Sequence, residues 1–171
     1  MKTRLAILEY PDPRLLRVAA PVGRIDESLR RLMDDMSTTL RETSSIGLAA
    51  PQVDVHQRLI VVDVSEGREE PMVLVNPEIV SRALPGMSEE RCLSVPGYVG
   101  AVPRDLRIEV RAQDRDGRPL EMEAEGLLAV CIQHEIDHLD GRLFISRLPW
   151  LKRMIARQKL GARRVPAQAA V

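Results

Sequence analysis

His134 and His138 stand four residues apart in the stretch Gln133-His134-Glu135-Ile136-Asp137-His138. On a helix that spacing stacks both imidazoles on one face, about one turn apart, where they can reach a single ion. Glu135 lies beside them and can face water held on such an ion without being a ligand. A metal that lowers the pKa of bound water, next to a carboxylate that takes the proton, is the equipment of a hydrolytic site. The bland reading is a solvent-facing helix with two histidines spaced by chance. Against it, the chain has only three histidines. The longer pattern H-E-x-x-H-x-x-G-x-x-H continues as far as Gly141 and then fails at Phe144, which cannot bind a metal.

Two histidines are too few for a catalytic site, so a third ligand must come from elsewhere. His56 is one candidate, in a polar stretch where a lone histidine is more often solvated. Cys131 shares the helix but is seven residues from His138, about 10 Å along the axis, too far for a short side chain. Cys92, in Glu89-Glu90-Arg91-Cys92-Leu93-Ser94-Val95-Pro96-Gly97, leads, ahead of any carboxylate. Pro96 and Gly97 mark an irregular segment that could reach over the helix. A thiolate suits zinc or ferrous iron, and a Cys-His-His set with an open position is a catalytic form.

These side chains need a scaffold, and 171 residues are enough for one domain with a core. Asp26 is a candidate helix cap, and Leu29, Leu32, Met33, Met36 and Leu40 follow at helical spacing, which predicts an amphipathic helix over 27–43. Residues 58–64 and 72–75 read as strands. Residues 106–112 and 120–124 read as a hairpin around Asp116-Gly117. Residues 126–139 have helical periodicity, and Pro149 suits the first turn of a last helix running to about Leu160. The order argues for α+β, with antiparallel-rich sheets packed around the helix that carries His134 and His138. The whole chain is expected to be one domain, with 161–171 a flexible tail.

Net charge is zero, with 25 basic and 25 acidic residues, yet Gly141 to Val171 holds eight Lys or Arg and no Asp or Glu. A basic tail suggests an anionic partner such as RNA, or simply a solvated helix. No apolar run approaches a membrane-spanning length, and Leu5 to Leu8 is too short for a signal peptide. The cytoplasm is the expected location, and a disulfide between Cys92 and Cys131 is not required there.

Three segments together resemble the signature motifs of the peptide deformylase family: Ile46-Gly47-Leu48-Ala49-Ala50-Pro51-Gln52, Glu90-Arg91-Cys92-Leu93-Ser94 and the histidine stretch. They occur in the family's order, and the resemblance runs from about Leu5 to Leu160. It implies an enzyme that removes the formyl group from the N-terminal formylmethionine of new polypeptides and releases formate. It further implies Cys92, His134 and His138 as metal ligands, with metal-bound water as nucleophile and Glu135 as general acid/base. Gln52 and the backbone N–H of Leu93 would donate to the oxyanion, although Gln52 taken alone reads more simply as the cap of a turn. The native metal would be ferrous iron, with zinc or nickel able to take its place. The methionine pocket would be lined by Ile46, Leu127, Val130 and Cys131, and the small Gly47 would let an extended peptide add as a strand. In bacterial members the C-terminal helix docks on the ribosome, which here would engage Lys152, Arg153, Arg157 and Lys159.

The chain departs from the family pattern at three places. Ser45 and Arg91 stand where glycine is usual, and Tyr98-Val99-Gly100 stands where many bacterial members carry an arginine near the peptide. If the backbone at Arg91 needs a positive φ, the residue is strained; if not, its side chain can lie over the groove. The expectation is a competent monomeric catalyst with altered peptide preference, binding neither membrane nor DNA. The rival readings are an H-E-x-x-H metallopeptidase and a catalytically dead peptide- or ribosome-binding module.

Overall fold

The computed structural model describes residues 3–161. Helix α1 (Glu27–Glu42) begins where the Asp26 carboxylate accepts from the Leu29 N–H at 2.9 Å, which satisfies one of the donors a helix start leaves open. Leu29, Met33, Met36 and Leu40 form its buried stripe. Strands β1 (Gly47–Ala49), β2 (Leu59–Val62), β3 (Met72–Cys92), β4 (Val95–Gln113) and β5 (Pro119–Glu125) follow. They make one antiparallel sheet in sequence order. Helices α2 (Gly126–Leu139) and α3 (Trp150–Gly161) complete an α+β fold. The tail expected beyond Gly161 lies outside the described residues.

β2 explains its own composition. Its residues alternate between two cores: Leu59 and Val61 pack with α1, while Ile60 and Val62 pack with α2. A strand covered on both faces reads as an unbroken apolar run rather than an alternating one. α2 is buried from Ala129 through Leu139 without a break. It is therefore wrapped on all sides, and each polar side chain it carries needs a partner in the protein.

The strands differ from the sequence expectation chiefly in length. The strand expected over 72–75 continues to Cys92 as β3, and the one expected over 106–112 begins at Val95 as β4. Pro77, Pro85, Gly86 and many charged residues hide this long hairpin, because most of it is exposed on at least one face. The irregular segment expected around Pro96 and Gly97 lies just past the tight end of that hairpin, where Cys92 pairs with Val95. Glu90 pairs with Gly100, so the single residue Arg91 stands opposite the four residues 96–99. That interruption frees the strand ends from regular pairing beside α2.

After α2 the chain turns at Gly141 (φ 67°), where a Cβ would meet the Leu16 carbonyl oxygen at 2.5 Å. Phe144 follows, buried in a third core with Leu15, Val95, Leu148 and Leu160. Its ring lies 5.9 Å from that of His134 and 6.2 Å from that of Tyr98. It backs the histidine face as a packing residue. Phe144→Ala should therefore cost about 3–5 kcal/mol of stability, read by urea unfolding; a loss under about 1 kcal/mol would contradict this packing.

Candidate active site

The hairpin end and α2 bring three ligand-type side chains together. The Cys92 sulfur and one nitrogen each of His134 and His138 lie within 4.8 Å of one another, with Cys92 Sγ 3.2 Å from His138 Nε2. The imidazole rings meet edge-on at 5.1 Å. A thiol and two imidazoles suit zinc or ferrous iron and are a poor set for magnesium or calcium. His56 is elsewhere, with its Nε2 2.9 Å from the Arg14 carbonyl oxygen. Cys131 is buried and gives its S–H to the Ile46 carbonyl at 3.2 Å.

Glu90 fixes His134. One of its oxygens is 2.8 Å from His134 Nδ1, which leaves Nε2 for an ion. Arg104 holds the same carboxylate with two hydrogen bonds of 2.6 and 2.9 Å and reaches Asp137 at 2.7 Å. Burial pushes the Glu90 carboxyl upward, but Arg104 and His134 outweigh it and hold it below the usual range. Glu90 was visible in the sequence only as part of a motif, without a role, and Arg104 was assigned none. The only signal available was a charged pair in strands whose length was not apparent.

Glu135 sits among these groups with Oε2 buried and without a hydrogen-bond partner among the described residues. Such an atom is costly unless a ligand or substrate meets it. Burial, reinforced by the thiolate and Glu90 against the two histidines, raises its carboxyl to about 7. The Cys92 thiol goes the other way. Burial opposes its ionisation, but His138 and His134 overcome that and bring it down to about 5. His134 is pushed well above its ordinary value: burial disfavours its charge, and the Cys92 and Glu90 contacts outweigh burial. Cys92 is thus favoured as the thiolate, and a cation bound there would displace the proton that these anionic neighbours hold on His134.

Gln52 takes the turn-capping place its sequence allowed. Its Oε1 accepts from the Ala49 N–H at 2.8 Å and closes the turn. Its Nε2 is thereby aimed at Ser94 Oγ, at 3.1 Å, and toward the Cys92 sulfur, at 3.7 Å. Ser94 is a further neighbour that sequence reasoning left unassigned. A cleft of about 810 Å³ opens over the site. It is lined by Cys92, His134 and Glu135, by Gln52, Leu93, Gly47 and Arg91, and by Ile46, Leu127, Val130 and Cys131. His138 lies beneath, outside the lining. A Cβ on Gly47 would collide with Glu135 Oε1 and come within 2.8 Å of Cys131 Sγ, so only glycine lets that strand approach the carboxylate. Arg91 is not in the positive-φ region; it is exposed at the cleft.

The two cysteines should separate chemically. In metal-free protein Cys92 should be alkylated by iodoacetamide at neutral pH, with the rate falling as pH drops through about 5. Cys131, whose thiol burial raises well above its ordinary value, should not react. Zinc should protect Cys92. Equal labelling of both thiols, read by peptide mass spectrometry, would contradict this electrostatic picture.

Known proteins resemble this chain over nearly their whole length. The family model described as polypeptide deformylase matches residues 4–154. The peptide deformylase of Alkalilimnicola ehrlichii is 56% identical over 157 residues, covering 91% of this chain and 88% of its own. That of Hahella chejuensis is 54% identical, covering 92% and 95%. Among solved structures, a peptide deformylase from Legionella pneumophila superposes with a TM-score of 0.89 at 49% identity, over 94% of this chain and 95% of that one. The peptide deformylase from Ehrlichia chaffeensis in complex with actinonin gives 0.89 at 39% identity, over 95% and 99%. With a family model matched over residues 4–154 and relatives more than half identical over most of both chains, the chain belongs to the polypeptide deformylase family.

Proposed function

We propose that this enzyme removes the N-formyl group from the formylmethionine of nascent polypeptides, using Cys92, His134 and His138 to hold one divalent ion. The observation that carries this reading is the Cys92, His134 and His138 cluster beneath a cleft, with Glu135 Oε2 buried beside it and unpartnered. α2 acts as the metal-bearing helix, α1 as the amphipathic helix behind the sheet, and the chain works as one domain. Ferrous iron is the proposed native ion. Bound there, it would supply a Lewis acid that lowers the pKa of water and polarises a carbonyl oxygen.

The protein's own groups do the rest. Glu135 takes the proton of the attacking water as oxygen bonds to the formyl carbon. The same carboxyl returns that proton to the amine nitrogen as the C–N bond breaks, leaving formate and a free N-terminus. Gln52 Nε2, its amide already oriented by the Ala49 N–H, donates to the oxyanion together with the Leu93 N–H. The methionine side chain occupies the pocket of Ile46, Leu127, Val130 and Cys131. The peptide runs along Gly47 and the end of β3. Arg91 has no hydrogen bond or ion pair there among the described residues, so its charge is available to the peptide beyond methionine.

Metal-loaded protein should release formate from formyl-Met-Ala-Ser and leave the unformylated peptide intact. Cleavage of the unformylated peptide would favour the metallopeptidase reading. Glu135→Ala should lower kcat by about 10²–10⁴ while the metal content stays unchanged; an unaltered kcat would remove Glu135 from the acid/base role, and no turnover in metal-loaded wild type would favour a binding module.

Lys152, Arg153, Arg157 and Lys159 on α3 are proposed to contact the ribosome. Ala156 and Leu160 of the same helix are buried against the body, so reversing charges tests this better than deleting the helix. The triple change K152E/R157E/K159E should weaken salt-sensitive ribosome co-sedimentation and spare hydrolysis of short peptides. Unchanged co-sedimentation would reject the contact.

A further inference from the structure

The buried ion pairs around Glu90 do not end at Arg104. Arg104 also reaches Asp137, and Asp137 is gripped from the other side by Arg147, at 2.6 Å to each carboxylate oxygen. The path therefore runs Arg147, Asp137, Arg104, Glu90, His134 without a gap. It crosses from the turn before α3, through α2 and β4, to β3 and back to α2. Glu90, Asp137 and Arg104 are at most 5% exposed in their side chains, and Arg147 is 32% exposed. Arg147 is thus the one member that can be changed without opening the interior.

The charges balance only with Arg147 present: two carboxylates, Glu90 and Asp137, against two guanidinium groups. Remove Arg147 and Arg104 alone must serve both carboxylates. Asp137 Oδ1 accepts only from Arg147 among the described residues, so a buried carboxylate oxygen would lose its partner, a costly loss in low dielectric. Arg104 already bonds Asp137 and would be drawn toward it, at the expense of Glu90. Glu90 is what fixes the His134 ring through Nδ1. Groups that orient a ligand in this way set how tightly the ion is held.

We propose that Arg147 is a positioning residue for the metal site, acting through Asp137, Arg104 and Glu90 to hold His134 in its ligating orientation. This rests on Cys92, His134 and His138 being the metal ligands, and not on the identity of the substrate. It makes the turn before α3 part of the site's support, although Arg147 itself touches neither ligand nor cleft.

The test is the rate of metal release. Wild type, Arg147→Met and Arg147→Lys are each loaded with one equivalent of zinc and challenged with a chromophoric chelator. The thermal midpoint of each metal-free protein is measured alongside. Arg147→Met should release zinc roughly tenfold faster, and Arg147→Lys should recover part of that by restoring the charge. In an Asp137→Asn background the further change Arg147→Met should add little. Release at the wild-type rate would overturn the proposal, whether or not the metal-free midpoint falls, because a purely structural role moves only the midpoint. Fully additive effects with Asp137→Asn would also overturn it. A wild type that holds no zinc would overturn the metal site and this inference together. Absent formate release with a normal contrast in zinc release would sink the reaction and leave this inference standing.

Discussion

A carboxylate removed from water, Glu90, governs the geometry of this protein. It is 6% exposed and answers to two partners at once: the Arg104 guanidinium and the His134 ring nitrogen. Without Arg104 a charge there would be prohibitively costly. Without His134 it would have little reason to sit under α2. Because the contact joins β3 to α2, the orientation of the His134 ring and the docking of the long hairpin are the same interaction. Cys92 is two residues further along that strand, so the constraint that aims His134 also delivers the sulfur.

α2 can be read in the same terms. It is buried over its last three turns although it carries Gln133, His134, Glu135, Asp137 and His138. Gln133 accepts from the Asp105 N–H and donates to the Asp105 and Ala129 carbonyls, His134 goes to Glu90, and Asp137 goes to two arginines. The exceptions are Glu135 Oε2 and His138 Nδ1, which find no partner among the described residues. A fold that satisfies its buried polar groups and leaves a carboxylate oxygen open beside a thiol and two imidazoles has concentrated its cost where chemistry occurs. Gly47 serves the same end, since its missing Cβ is what gives Glu135 room.

The chemistry was more legible in the sequence than the scaffold that supports it. The i, i+4 spacing of His134 and His138 is a local signal, and the helical period over 126–139 coincides with α2. Geometry alone could set Cys131 aside and favour Cys92. The hairpin carrying Cys92 was underestimated because β3 and β4 are solvent-exposed along much of their length and contain prolines and glycines. Alternation fades when neither face is a continuous core. The ion-pair path was not legible at all. Glu90, Arg104, Asp137 and Arg147 are separated by 14, 33 and 10 residues along the links that join them, and nothing in a single sequence marks such pairs as neighbours. Phe144 shows the converse case. It fails as a ligand in an extended metal motif, and the structure makes it the aromatic wall behind His134.

The proposed chemistry stands or falls on whether the Cys92 thiolate and two histidines hold the ion that supports deformylation. The most direct measurement loads the protein with cobalt and records, on one sample, the near-ultraviolet absorption and formate release from a formylmethionyl peptide. A sulfur-to-cobalt charge-transfer band should appear with bound metal in step with activity, and both should be lost in Cys92→Ala. Full formate release without that band, or a Cys92→Ala protein that turns over at the wild-type rate, would contradict it.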